Sequence, residues 1–166
     1  EPVAVIVADD RYTAEDALDL IEVEYQNLQV IADPEQALDP DGTPLHDEMG
    51  SNVANRRHFV SGDPDRAFES AAHIVELDYR FPKYGSTPME TYGVIAHHET
   101  APERFTSWSN FQGPFVLQPL MAASLGVPGN RLRLITPPAS GGSFGIKQGV
   151  FPYIVLLCAV SKRLGV

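Results

Sequence analysis

Residues 136–147 read Thr-Pro-Pro-Ala-Ser-Gly-Gly-Ser-Phe-Gly-Ile-Lys, a glycine-rich turn between a strand-like stretch at 131–136 and an apolar, helix-like stretch at 153–164. Glycine accepts left-handed backbone angles, so such a turn can bend back on itself and aim several N–H groups at one point. A helix start behind it adds positive potential. The arrangement suits an anionic or oxygen-rich ligand. Spacing alone does not name that ligand. Gly141, Gly142 and Gly145 do not form G-x-G-x-x-G, and Gly145-Ile-Lys-Gln148 lacks the Ser/Thr of a nucleoside-triphosphate loop.

Periodicity places the loop in a mixed chain. Residues 3–8 form a short apolar run suited to a buried strand, and Thr13-Ala-Glu-Asp16 fits a capping box opening a helix through Leu20. Ile21, Val23 and Tyr25 alternate with polar residues, which predicts a half-exposed strand. Asp33-Pro34 and Asp63-Pro64 each pair a cap with proline at the first helical position, starting helices that run to Leu38 and past Ala67, Phe68 and Ala71. Val75, Leu77, Tyr79 and Phe81 alternate with charged residues in a further predicted strand. Residues 92–98 and 104–109 predict an antiparallel hairpin. A helix over 115–125 is closed by Gly126, with Pro128 beyond. The last helix is apolar nearly all round, which predicts burial on every side. No internal repeat or low-complexity tract is present.

Composition excludes several function classes. A net charge of −10 argues against a nucleic-acid partner, because that affinity is built from Lys/Arg contacts to phosphates. Cys158 is the single cysteine, so neither an internal disulfide nor a zinc framework can form, and a reducing, cytoplasmic setting fits. Glu1-Pro2 shows no signal-peptide character, and the longest apolar run, 151–160, is far short of the ~20 residues that span a bilayer. At 166 residues the chain can bury one good core, or one with a small appendage, and a complete multidomain enzyme is out of reach; the missing initiator Met suggests a processed chain or an excised fragment.

Three motifs carry more information together than apart. Ser86-Thr-Pro-Met-Glu-Thr-Tyr-Gly93, Ser107-Trp-Ser-Asn-Phe-Gln-Gly-Pro-Phe115 and Gly141-Gly-Ser-Phe-Gly145 occur in this order. In order and spacing the chain resembles the molybdenum-binding large subunit of the xanthine dehydrogenase, aldehyde oxidase and carbon monoxide dehydrogenase family. Pro2-Val-Ala-Val-Ile-Val-Ala8, Arg11-Tyr-Thr-Ala-Glu-Asp-Ala17 and Val23-Glu-Tyr25 resemble the end of that family's hammerhead domain. The resemblance implies a molybdenum–molybdopterin cofactor, with the cytosine dinucleotide form of the pterin left open, and [2Fe-2S] and FAD groups in partner subunits or domains. It implies oxidation of a small molecule such as an aldehyde, an N-heterocycle or carbon monoxide. The family's general base is a glutamate near the end of the subunit, outside this chain, so the chain alone is expected to be inactive.

Site residues follow from the same motifs. The family's glutamine matching Gln112 hydrogen-bonds an oxygen ligand of molybdenum; read without the resemblance, Gln112 is a turn glutamine in solvent. Gly141, Gly142, Ser143, Phe144 and Gly145 match the loop passing beside the cofactor, with no direct metal coordination. Ser143 stands where many relatives have a third glycine. It either displaces the loop or adds a contact. Gln148 occupies the position of the substrate-binding glutamate of xanthine-oxidising relatives, which argues against purine oxidation. Glu90 is either a cofactor-region residue or a structural acceptor of backbone N–H groups, and Lys147 either neutralises charge or caps the loop. Adjacent His97 and His98 point to opposite strand faces and read as strand surface. His46, His58 and His73 lack zinc spacing, and no G-x-S-x-G nucleophile motif exists. Cys158, on an apolar helix, reads as core rather than nucleophile.

The fold expected is therefore α+β, with antiparallel or mixed sheets and packed helices, as part of a larger multidomain subunit. Its division is 1–38 hammerhead-like, 39–58 linker, and 59–166 the start of a molybdenum cofactor-binding domain. The alternative is a cofactor-handling or structural module of the same fold without a redox step. Partners expected are the remainder of the large subunit, iron–sulfur and FAD subunits, and a small-molecule substrate, with no nucleic acid and no membrane insertion.

Overall fold

The computed structural model describes residues 2–82 and 85–166, so Glu1 of the segment read as 1–38 lies outside them. The chain divides into two compact units, Glu1–Glu76 and Leu77–Val166.

Three capped helices mark the first unit. In α1 (Arg11–Leu18) the cap is Asp10, whose carboxylate accepts the Thr13 N–H at 3.0 Å and the Thr13 hydroxyl at 2.9 Å. Thr13 was the expected cap. Asp10 displaces it because an ionised carboxylate can satisfy both of these donors at once. Asp33 caps α2 (Pro34–Ala37) through Glu35 N–H at 2.9 Å, and Asp63 caps α3 (Pro64–Ser70) through Arg66 N–H at 3.1 Å. Between them, Asn52 ties down the polar stretch by accepting from Leu45 N–H at 2.7 Å and donating to Thr43 O at 3.1 Å.

Among the described residues, the strands expected at 3–8 and 21–25 do not form a ladder, and neither does the one at 75–81. Alternation defines a face, but a strand exists only where a neighbour takes its backbone groups. Within the first unit Val3 is 71% exposed.

The second unit is built on a three-stranded sheet of order β1-β2-β3. The expected hairpin forms from β1 (Val94–Thr100) and β2 (Glu103–Ser109), antiparallel with Val94 opposite Ser109 and Thr100 opposite Glu103. β3 (Leu132–Ile135) lies parallel to β2, with Phe105 opposite Leu132, so the sheet is mixed and the unit α+β. A parallel neighbour needs a crossover, supplied by α4 (Pro114–Ser124), which stops at Gly126 with a φ of 71°. α5 (Phe151–Leu164) packs on β1, β2 and α4. The core is Phe105, Met121, Ala122, Leu132, Val150, Ile154 and Cys158; each large side chain there contributes about 1.5–3 kcal/mol of burial.

Two expectations change here. α5 is not buried all round: Ile154, Cys158 and Ser161 form one buried stripe, while Leu164 is half exposed, because one sheet face covers one side of a cylinder. His98 is not strand surface. It shares the inward face with Val94 and Ala96, its side chain is almost fully covered, and its ring lies 4.8 Å from that of Phe105. His97 points out, as the alternation requires.

Candidate functional site

Phe111, buried beyond the end of β2, anchors the chain where it turns, and Gln112 follows it at the mouth of the glycine loop. The Gln112 backbone N–H donates to Lys147 O at 3.4 Å. Its side-chain Oε1 accepts the Gly145 N–H at 3.2 Å and the Ser143 hydroxyl. The structure thus brings Gln112 and the 141–145 loop together, because β2 and β3, which feed them, are parallel neighbours in one sheet.

Glu90 is the second hub. Its Oε2 accepts the Gly141 N–H at 2.8 Å, while Oε1 accepts from Lys147 Nζ at 2.5 Å, Asn110 Nδ2 at 2.7 Å and the Ser140 hydroxyl at 3.2 Å. Lys147 is buried and also donates to Gly141 O at 3.4 Å. The Lys147 ammonium, with Asn110 and the Gly141 N–H, pulls the Glu90 carboxyl down to about 2. Glu90 here is an acceptor that holds the loop, and Lys147 the cation it neutralises. Asn110 links this hub to the preceding motif, donating to Thr91 O at 2.7 Å and accepting from Gly93 N–H at 3.1 Å.

The loop glycines have individual reasons. A Cβ on Gly141 would lie 2.7 Å from Glu90 Cβ, and one on Gly142 would lie 2.7 Å from the Phe144 ring. Phe144 and Gly145 take positive φ values of 50° and 93°, turning the chain sharply. Ser86 holds the turn through Phe144 O at 3.1 Å. Among the described residues nothing accepts the N–H groups of Gly142, Ser143 or Phe144, or Gln112 Nε2. A row of amide donors on an exposed turn is suited to an oxygen-bearing anion. Gln148 is exposed, and its backbone N–H donates to Gly145 O at 3.2 Å. Beside Glu90 an open groove of about 600 Å³ is lined chiefly by Ile95, Trp108, Ile135, Pro137 and Pro138.

Asn110, Ser140 and Ser86 were not singled out by sequence reasoning. Asn110 had a weak signal, since asparagine at a strand end commonly satisfies neighbouring backbone groups. Cys158 is fully buried, and burial pushes its thiol up to about 11.

The family model described as the molybdopterin cofactor-binding domain matches residues 45–166. The chain is 36% identical over 164 residues to the nicotine 6-hydroxylase large subunit of Paenarthrobacter nicotinovorans, covering 99% of this chain and 20% of that protein. It is 32% identical to the carbon monoxide dehydrogenase large chain of Hydrogenophaga pseudoflava, covering 99% and 22%. Among solved structures, quinoline 2-oxidoreductase from Pseudomonas putida 86 superposes with a TM-score of 0.77 at 30% identity, covering 95% of this chain and 20% of that one. The chain thus spans about a fifth of the length of these relatives.

Proposed function

The chain belongs to the molybdopterin cofactor-binding domain family, and on that premise we propose that it forms part of the large subunit of a molybdenum hydroxylase that oxidises a small molecule. The observation that carries this reading is the set of unclaimed donors: Gln112 Nε2 and the N–H groups of Gly142, Ser143 and Phe144, held on a turn by Glu90 and Lys147. When bound, the molybdenum–molybdopterin group supplies the redox chemistry. The chain's own residues bind and orient it. Gln112 would donate to an oxygen carried by the cofactor, and the loop amides would donate alongside, preorganised because the Glu90 hub fixes the loop beforehand.

Residues 1–38 are assigned to the end of a hammerhead-like domain, 39–58 to a linker and 59–166 to the start of the cofactor-binding domain. Iron–sulfur and FAD groups in partner subunits or domains would accept the electrons, and the place of action proposed is the cytoplasm. Among the described residues no helix is long and apolar enough to cross a membrane. The substrate class is an N-heterocycle, an aldehyde or a carbon monoxide-like molecule; Gln148 in place of a glutamate disfavours purines.

Metal and flavin analysis of the assembled protein tests the reading. Molybdenum accompanied by iron and flavin supports it. A fully folded assembly without molybdenum overturns it in favour of a non-catalytic module.

A further inference from the structure

We propose that Ser143 is a positioning residue that fixes the side-chain amide of Gln112 with its NH2 group facing the cofactor. This rests on the reading of Gln112 given above. A backbone N–H can only donate, so the Gln112 atom facing Gly145 N at 3.2 Å is Oε1 and not Nε2. The same oxygen faces the Ser143 hydroxyl, which must therefore donate to it. That hydroxyl accepts the Lys147 N–H at 3.1 Å, so its other partner is already a donor and its single proton is committed to Gln112. A one-way relay results, from Lys147 N–H through the Ser143 hydroxyl to Gln112 Oε1, and it starts at the residue whose ammonium is locked against Glu90.

The consequence concerns orientation. Gln112 is exposed, and an amide held by one 3.2 Å bond can turn over, exchanging donor for acceptor at the cofactor. In the turned-over state the Gly145 N–H loses its acceptor and faces the NH2 group, and the Ser143 hydroxyl, which would have to accept from NH2 on its remaining lone pair, leaves its own proton without an acceptor, so the second contact on Oε1 adds to the preference that Gly145 sets. Glycine at position 143 would leave the amide with Gly145 alone. The Ser143 hydroxyl is therefore spent on orientation and is not a donor to the cofactor.

The test uses the assembled holoenzyme and the variants Ser143→Ala, Ser143→Thr, Gln112→Ala and the Ser143→Ala/Gln112→Ala double. Turnover is measured per bound molybdenum, KM separately, and the Gln112 amide is located by neutron crystallography, which distinguishes its O from its NH2 group. Ser143→Ala is expected to lower kcat roughly tenfold, the scale of one lost hydrogen bond, with KM unchanged and with the amide turned or displaced. Ser143→Thr, which keeps the hydroxyl, restores both. In the Gln112→Ala background Ser143→Ala adds no further loss. An equal loss in both backgrounds, or an alanine variant whose amide and kcat are unaltered, overturns the positioning role alone. Full turnover in Gln112→Ala overturns the reading of Gln112 itself, and with it any role for Ser143 acting through that residue.

Discussion

The ammonium of Lys147 lies 2.5 Å from the carboxylate of Glu90, a residue 57 positions earlier, and this pair clamps the glycine loop from both ends. Glu90 takes the Gly141 N–H where the loop begins, and Lys147 sits where it closes into the turn before α5. Removing the carboxylate would leave a buried ammonium without its counter-charge, a costlier state than leaving the pair intact.

This pair has an acid signature. The Glu90 carboxyl is lowered from 4.5 to about 2, chiefly by Lys147. A depressed folded-state value means that the unfolded chain takes up the proton first. The stability this group contributes is complete above about 4.5 and is lost as pH falls from there through about 2. Glu90→Gln should therefore be less stable than the parent at neutral pH, and the difference should shrink steadily as pH falls through that window. Denaturation midpoints of both proteins from pH 7 to pH 2 check this; a constant difference contradicts it.

Gly141 and Gly142 should respond differently to alanine. The new methyl at Gly141 would meet Glu90 Cβ, which four partners hold in place, so the loop backbone must move. At Gly142 it would meet the ring of Phe144, an exposed side chain free to rotate away. Gly141→Ala is expected to cost about 1–3 kcal/mol, as overpacking does, and to lower molybdenum occupancy of the assembled protein. Gly142→Ala should cost under about 1 kcal/mol. Thermal melts and metal analysis of the two variants should rank them in this order, and the reverse order would refute the assignment of Glu90 as the fixed element.

Much of the site was legible in the sequence because its residues sit at element boundaries. Gly126, Asp33 and Asp63 announce their helix ends through local chemistry, and the β1–β2 hairpin through alternation on both sides of a turn. Gln112 and the 141–145 loop were legible as motifs, and their meeting follows from β2 and β3 being parallel neighbours. The pairing of Glu90 with Lys147 was not legible: no local rule couples two polar residues 57 apart, and each alone fits a separate local role, Glu90 as an acceptor of backbone N–H groups and Lys147 as a cap of the loop. His98 was misjudged for a related reason. Alternation shows that His97 and His98 face opposite ways, but only the position of α5 decides which face is covered.

Cys158 provides a probe of the core. It is fully buried between Ile154 and Ser161 on the inward stripe of α5, and burial raises its thiol to about 11, so at neutral pH it is neither accessible nor ionised. Its reaction with an aromatic disulfide reagent should follow opening of the second unit, remaining slow in native buffer and becoming fast across the denaturation transition. Labelling as rapid as that of a free thiol in native buffer would show that α5 is not docked as described.

Residues 77–81 carry the final prediction. Leu77 and Tyr79 are 81% and 77% exposed, on an alternating stretch that forms no ladder with described residues of its own unit. Alternation of this kind is expected of a strand with one covered face, so the apolar side calls for a neighbour. We expect the isolated 166 residues to self-associate as concentration rises, and Leu77→Lys with Tyr79→Lys to reduce that association in sedimentation experiments. In the assembled large subunit the same two changes should instead lower the melting temperature, because there a neighbouring segment would cover the face and lysine would be buried against it. A double variant that melts with the parent in the assembly would mean that these side chains remain in solvent there.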